Sequence, residues 1–265
     1  MLIPESAYVA PIRPIHSGIR ACTHLARVNL PGLSEAIVKA FPIDAGRSFF
    51  NEVAGGILAH HAGIGAPPTA LIWIDHSVLG ELFPKAAFHV SGGKVLCVVI
   101  APITNQYGLL ALGAGDTFGD SPVLREHLLA WGGLPACSAF DQWIGNIDRH
   151  VNNLLVGAGM RLMPIDHSDC FLGPLWSSGD FEHPYVWSNL RLDEVVPLDQ
   201  WKLPVRAATV HQASRIIQIY SAAQAELSTL QAWLPETDGL NWINWIAARV
   251  LLTEDLLKNR LGMLH

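Results

Sequence analysis

The chain has 265 residues, half of them hydrophobic and 15% charged, a composition that supports a large core and leaves little material for disordered tails. Its formal net charge is -6, so the chain has no excess of lysine and arginine. Nucleic-acid-binding proteins use such an excess to neutralise phosphates, which argues against a nucleic-acid partner. The cysteines are widely spaced and form no CxxC pair, so neither a zinc knuckle nor a disulfide framework is predicted; they are Cys22, Cys97, Cys137 and Cys170.

The N-terminal stretch MLIPESAYVAPIRPIHSG shows no basic segment followed by an apolar run and a cleavage site, so no secretory signal is predicted. The most apolar run, VLCVVIAPI, is about half the ~20 residues that a membrane helix needs, and it favours a buried strand. We therefore expect a cytoplasmic protein without a membrane span.

The first hundred residues have the pattern of a β-rich unit with one helix. Residues 24–41 are two apolar strands joined by the turn-forming PGLSE, which predicts a hairpin with Lys39 near the end of its second strand. The segment RSFFNEVAGGILAHHAGIG follows as a helix that contains Glu52, and ALIWI and KVLCVVIAPI follow as strands. These elements predict an N-lobe over residues 1–103.

The remaining residues, 104–265, are predicted to form a mainly α C-lobe. Helical periodicity is found in SPVLREHLLAWGG, CSAFDQWIGNI, VRAATVHQASRIIQIYSAAQAELSTLQAWL and GLNWINWIAARVLLTEDLLKNRLGML, around a short β-rich centre. The segment TNQYG is the predicted hinge. The fold class is therefore α+β, a single two-lobed domain with a β-rich N-lobe and a mainly α C-lobe.

Two linked segments, FDQWIGNIDRHVNNLLV and LMPIDHSDCF, contain the groups that phosphoryl transfer from ATP requires. Asp148 can orient an acceptor hydroxyl, and Asn153 and Asp166 can hold Mg²⁺ at positions five and eighteen residues later. The alternative is that Asp148, Arg149 and Asn153 form a solvated turn while Asp166 caps a strand end. Because both segments occur in one chain, the sequence favours the catalytic interpretation.

The pattern DRHxxN followed by IDH resembles the catalytic and metal loops of phosphatidylinositol-kinase-like and HipA-like kinases. The longer FDQWIGNIDRHVNNLL most resembles stand-alone HipA-like kinases. This resemblance implies a protein-kinase-like fold, ATP and Mg²⁺ as cofactors, a protein Ser/Thr hydroxyl as acceptor, and an antitoxin-like or regulatory partner. It also implies that His150 supports the loop rather than acting as a base. Arg149, Asn146 and Asp141 are expected to brace the same loop.

Lys39 and Glu52 are thirteen residues apart, on a strand and on the next helix, and they are candidates for an ion pair that directs the ammonium group at the phosphates of ATP. The alternative is two solvated surface charges.

The expected phosphate-binding loop, which precedes the strand that carries Lys39, contains little glycine. The segment HSGIRACTHLARV contains one, Gly18, so the phosphates would be bound by backbone amides or by Arg20. HipA kinases can modify this loop, and the resemblance therefore makes Ser17 and Thr23 candidates for autophosphorylation.

Two further interpretations stay open at the level of sequence. The DRHxxN pattern is shared with lipid kinases, so the acceptor could be a phosphoinositide or another small molecule. A phosphate-binding loop with so little glycine is also typical of a pseudokinase that binds nucleotide without catalysis.

Overall fold

The computed structural model describes residues 2–15, 20–100, 122–150, 153–156, 162–184 and 192–263. The predicted lobe boundary after residue 103 and the hinge TNQYG lie outside these ranges. Within them, a β-rich N-terminal part is followed by a mainly helical C-terminal part, which confirms the predicted two-lobed architecture. No helix in the described ranges is both long and apolar enough to span a bilayer. All four cysteines are free thiols.

The N-terminal part is built on one antiparallel sheet of five strands in the order β1-β2-β3-β5-β4. The strands are β1 Tyr8–Ile15, β2 Cys22–Leu30, β3 Leu33–Ala40, β4 Thr69–Asp75 and β5 Lys94–Ile100. The hairpin of β2 and β3 was predicted, and it closes at the pair Leu30 and Leu33. Its turn contains Gly32 at a φ of 73°, a conformation that glycine adopts without steric cost.

Strand β1 was not predicted, because Pro11 and Pro14 interrupt its apolar pattern. A proline cannot donate a ladder hydrogen bond, and it is tolerated mainly in edge strands. The sheet order places β1 at the edge, beside β2 alone. The prolines are therefore consistent with the position of this strand, which only the assembled sheet reveals.

Two helices accompany the sheet. Helix α1, Ser48–Ala62, was predicted and packs on the inner sheet face, whereas the short α2, His76–Leu82, lies in the connection between β4 and β5. The outer face has a smaller core of its own, in which Leu79 of α2 packs with Val38 and Phe88.

The C-terminal part contains α3 Pro122–Ala130, α4 Leu134–Ile144, β6 Leu154–Val156, β7 Leu162–Pro164, α5 Leu192–Val195, α6 Leu203–Gln231 and α7 Glu236–Leu261. Strands β6 and β7 form a small antiparallel pair, in which β6 ends the first predicted catalytic segment and β7 begins the second. The tryptophans of α7, Trp242 and Trp245, are buried.

One core joins the two parts. Its buried residues come from the inner face of the sheet, from α1, from α4 and from α6 and α7; examples are Ile37, Phe50, Trp143, Leu227 and Trp242. Helix α1 contacts α6 and α4 as well as the strands. The side chains of α1 are therefore positioned by both parts of the chain at once.

Candidate active site

Lys39 lies near the end of β3 and is buried between two carboxylates. Its Nζ is 3.2 Å from Oε1 of Glu52 on α1 and 2.9 Å from Oδ1 of Asp166, which follows β7. The predicted ion pair of Lys39 and Glu52 is thus present, and the alternative of two solvated charges is wrong. The contact with Asp166 was not predicted, because it joins residues from separate parts of the chain.

Lys39, Glu52 and Asp166 shift one another's pKa values. Burial raises the pKa of Glu52 to about 7, and the nearby Lys39 only partly offsets this effect. Burial also acts to raise the pKa of Asp166, but the charge of Lys39 and the hydrogen bonds from Lys39 and Ser168 hold it well below its usual range. The pKa of Lys39 is raised, because its two carboxylate neighbours outweigh its burial. Lys39 and Asp166 are therefore firmly ionised, whereas Glu52 titrates near neutrality.

Asp166 stands at a sharp bend in the backbone. Its φ of 63° is in the left-handed region, which aspartate enters more readily than most residues. The Ser168 hydroxyl donates to Oδ1 of Asp166 at 2.7 Å, which fixes the carboxylate. The Asp166 side chain stays partly exposed despite these contacts. A carboxylate that is fixed and accessible in this way is suited to bind a cation.

The loop that follows α4 carries Asp148 and Asn153. The backbone N–H of Asp148 donates to Oδ1 of Asn146 at 3.2 Å, and Nδ2 of Asn153 donates to the Asp148 carbonyl at 2.8 Å. The second bond directs the amide nitrogen of Asn153 inward and leaves its Oδ1 as the atom suited to a metal. The Asp148 carboxylate is partly exposed and lies 3.6 Å from Nε2 of His150, whose supporting role stays a prediction.

Arg149 is fully buried and ties this loop to its surroundings. Its Nε and Nη2 donate to the two carboxylate oxygens of Asp141 at 3.0 and 3.1 Å. Its Nη1 donates to the carbonyls of Asn153 and Ile165. Asn146 adds a bond to Asp141 at 3.2 Å. The three predicted braces are therefore in contact. Through Ile165 they join the loop that carries Asp148 to residues 165–173, here named the Asp166 loop.

His167, which directly follows Asp166, is a packed residue. Nη2 of Arg149 is 3.2 Å from its Nδ1, and Phe140 meets its ring edge to face. Since a guanidinium can only donate, this imidazole nitrogen accepts the bond. Burial and then the Arg149 charge lower the pKa of His167 well below its usual range, so the ring is neutral.

Helix α1 holds the Asp166 loop through Asn51, which sequence reasoning missed, and through a further contact of Glu52. Nδ2 of Asn51 lies within 3.0 Å of the carbonyls of Ser168, Cys170 and Gly173. Oε2 of Glu52 accepts the backbone N–H of His167 at 2.9 Å. The only available signal was the glycine pair Gly55 and Gly56 inside a predicted helix, because glycine there often has a packing reason.

Gly55 provides that close packing. A Cβ added at Gly55 would lie 2.4 Å from Cβ of His167, far inside contact distance. The absence of a side chain therefore lets α1 approach the Asp166 loop closely enough for Asn51 and Glu52 to reach it.

The phosphate-loop predictions are only partly within the described residues. Gly18 and Ser17 lie outside them. Nε of Arg20 is 3.8 Å from Oδ1 of Asp169, a fourth acidic residue that sequence reasoning missed although it stands in the quoted IDHSD. Burial, followed by the charges of Asp148 and Asp166, raises the pKa of Asp169. This carboxylate therefore lies in the same acidic neighbourhood.

Thr23 belongs to β2 rather than to the loop in which it was expected. It is buried and pairs with Lys39 across the hairpin. Phosphorylation at this position would require the strand to open, so the placement does not favour Thr23 as an acceptor.

The donor set consists of oxygen atoms, which suit hard cations. Among the described residues, no three His, Cys, Asp or Glu side chains converge as ligands. Mg²⁺ is commonly held by one or two protein oxygens together with water and substrate phosphates. The Asp166 carboxylate and Oδ1 of Asn153 are oxygen donors of this type, so the residues fit magnesium that arrives with a nucleotide.

No protein-family profile matches the chain, and no curated protein sequence matches it. Its structure is similar to the crystal structure of the proinflammatory kinase CtkA of Helicobacter pylori, with a TM-score of 0.59 and 13% sequence identity. The match covers 99% of this chain and 98% of that chain. The chain therefore has the two-lobed kinase-like fold.

Proposed function

We propose that this protein is an ATP- and Mg²⁺-dependent kinase of the HipA-like type that transfers the γ-phosphoryl group to a protein serine or threonine hydroxyl. One observation carries the proposal. Lys39 on a strand, held by Glu52 on a helix, contacts Asp166, and the buried Arg149 joins the Asp166 loop to the loop of Asp148 and Asn153. The similarity to a solved kinase supports it.

Each residue has a role that matches its surroundings. Lys39 binds the α and β phosphates, and Glu52 keeps its ammonium group in place. Asp148 is partly exposed and can orient the acceptor hydroxyl. Asn153 and Asp166 hold Mg²⁺, which neutralises phosphate charge when it is bound. Nucleotide must compete with the direct contact between Lys39 and Asp166, so we expect ATP to bind appreciably only together with Mg²⁺.

The decisive experiment measures ADP release by the wild type and by Asp148→Ala. We expect Mg²⁺-dependent ADP release that Asp148→Ala lowers by about 100-fold or more, because the variant removes the group that orients the acceptor. Equal rates in both proteins would rule out Asp148 as a catalytic residue. Nucleotide binding without ADP release in the wild type would instead identify a pseudokinase.

The acceptor is identified with γ-labelled ATP. The protein is incubated in parallel with cell extract and with inositol-lipid vesicles, and Asp148→Ala serves as the control for contaminating kinases. We expect label in protein and none in lipid. Label in lipid alone would replace the protein acceptor by a phosphoinositide and leave the kinase proposal standing.

Self-modification is tested in the same reaction by mass spectrometry. Because Thr23 is buried in β2, we expect any phosphate on the predicted loop at Ser17. A phosphate there adds about -1.5 to -2 charge next to the nucleotide's own phosphates and should weaken ATP binding.

A further inference from the structure

Away from the Lys39 site, a mainly apolar cleft of about 400 Å³ lies at the first turn of α1; it is here named the α1 cleft. It lies between the end of β3, the antiparallel strands β4 and β5, and the turn that joins α6 to α7. Its apolar wall includes Phe41, Ile43, Phe49, Trp73, Leu96 and Trp233. A volume of this size is within the range of known ligand clefts.

The rim of the α1 cleft is apolar and exposed to solvent. Val90 is 47% exposed, Ile43 51% and Trp233 45%. Phe49 stacks on Trp233 with ring centroids 6.2 Å apart, so the wall is formed by rings that already face one another. Exposed apolar residues around a cavity of this type mark a binding surface, and they extend it beyond what a compact small molecule would cover.

Two of the three polar side chains that line the cleft can donate to an anionic occupant, and the third, Ser91, is neutral. Arg47 and His89 line it, whereas no carboxylate is among its described lining residues. Arg47 lies over the Trp176 ring at 4.5 Å and donates to Asp238 through Nη2. An arginine has five N–H donors in a fixed fork, so that contact leaves donors for a second acceptor.

We propose that the α1 cleft docks a segment of a partner protein that carries large apolar side chains next to acidic residues. The apolar side chains fill the cavity and contact the exposed rim, and the acidic residues meet Arg47 and His89. Charge complementarity favours this occupant, since among the described lining residues a basic segment would meet Arg47 and no carboxylate.

Docking is connected to the Lys39 site through one turn of helix. Arg47 precedes α1, and Phe49 and Phe50 of its first turn also line the cleft. The next two residues, Asn51 and Glu52, hold the carbonyls of the 168–173 segment, the Lys39 ammonium and the backbone of His167. An occupant that packs on the first turn of α1 therefore restricts the helix that fixes the Asp166 loop.

The proposal is tested with short dye-labelled peptides and the full chain, by fluorescence anisotropy. The first peptide has two phenylalanines next to two aspartates, a second has lysines for the aspartates, and a third has alanines for the phenylalanines. We expect the first to bind about tenfold more tightly than either of the others. No binding of the first peptide, or equal binding of the first two, would overturn the proposal.

A matched pair of variants locates the binding. Val90→Glu and Val90→Lys remove the same apolar contact, but only the glutamate repels the aspartate peptide. We expect Val90→Glu to bind it about tenfold more weakly than Val90→Lys. Leu251→Glu, at a 77% exposed position on α7 outside the cleft, should bind like the wild type. Equal affinities for the two Val90 variants would place the peptide elsewhere.

Amide hydrogen exchange measures whether docking in the α1 cleft affects the active site, and it does not require catalysis. We expect the bound aspartate peptide to slow amide exchange in α1 and in residues 166–173. Slower exchange confined to residues 88–96 would show docking without transmission and would overturn that part of the proposal. Since neither readout uses ATP, failure of the kinase proposal and failure of the docking proposal give different results.

Discussion

Lys39 is shared between two carboxylates that differ in how firmly they are ionised. Asp166 keeps its charge over the whole neutral range, whereas the pKa of Glu52 is raised to about 7. A folded-state pKa above the ordinary 4.5 means that the folded chain binds the Glu52 proton more tightly than the unfolded chain. Stability from this residue is therefore fully present below about pH 4.5 and is lost as the pH rises through 7.

This linkage predicts the behaviour of Glu52→Gln. Between about pH 5 and pH 8, the free energy of unfolding should fall by about 2 kcal/mol more in the wild type than in the variant. This figure follows from the raised pKa of Glu52 at ~1.4 kcal/mol per pKa unit. Urea unfolding at both pH values measures it. ADP release should fall in the variant, since Lys39 loses one of its two partners. Parallel pH profiles of stability would mean that Glu52 is ionised as usual.

Lys39→Met should lose both activity and stability, because it leaves Glu52 and Asp166 without their cation. Removing one partner of a buried ion pair costs about 3–5 kcal/mol, and we expect the upper part of this range near pH 8, where Glu52 is charged. Urea unfolding should show a smaller loss near pH 5, where Glu52 is protonated.

The double variant Lys39→Met with Glu52→Gln separates the two effects. It should recover part of the lost stability near pH 8, because the Glu52 charge is removed while Asp166 still lacks its cation, and it should recover no ADP release. If activity returned together with stability, Lys39 would have a structural role alone.

At the scale of elements, α1 decides whether the site exists. It carries Asn51 and Glu52, and it approaches the Asp166 loop only because Gly55 has no side chain. The same helix packs on α6 in the C-terminal part and on the sheet in the N-terminal part. The distance between α1 and the Asp166 loop therefore sets the geometry of Lys39, Glu52 and Asp166 together.

Gly55→Ala tests this dependence. The new Cβ would meet His167 at 2.4 Å, so α1 and the Asp166 loop must separate. We expect thermal stabilisation by Mg²⁺ and ATP to be lost, at a cost in folding free energy of about 1–3 kcal/mol. The control is Gly80→Ala in α2, where an added Cβ has no described neighbour within 4 Å. It should bind nucleotide normally and gain about 0.5–1 kcal/mol from helix propensity.

At the scale of the whole molecule, the two lobes share one core. Ile37 of the sheet, Phe50 of α1, Trp143 of α4 and Trp242 of α7 belong to the same buried cluster. Several of its tryptophans lie in the C-terminal part, against rings of α1; Phe50, for example, meets Trp242 at 4.8 Å between ring centroids. The lobes are therefore expected to stabilise each other rather than to fold alone.

A single cooperative transition is the expected outcome of urea unfolding. Tryptophan fluorescence, which reports mainly on the C-terminal part, and far-UV circular dichroism should give the same midpoint. Residues 1–103 expressed alone should lack a folded far-UV spectrum, because the inner faces of the sheet and of α1 lose their covering helices. Two separate midpoints would show that each lobe has an independent core.

Much of the fold and the chemistry of the site followed from local sequence. Apolar periodicity is a property of neighbouring residues, so the β2–β3 hairpin, α1, β4, β5 and the long C-terminal helices were predictable. The two catalytic segments were recognisable because the spacing of Asp148, Asn153 and Asp166 lies within short stretches of chain. The prolines of β1 hid that strand, since their acceptability depends on its edge position.

The sequence by itself determined the two-lobed arrangement of strands and helices and the types of residue that phosphoryl transfer needs. Only the tertiary structure decided that Lys39 is shared by Glu52 and Asp166, that Arg149 ties two loops together and that Gly55 admits His167 against α1. Lys39, Glu52 and Asp166 come from three separate segments, and the position of one segment against another depends on how the common core packs. The same packing leaves the α1 cleft uncovered. Periodicity and motif spacing contain no information about such distances, because they describe residues along the chain and not across it.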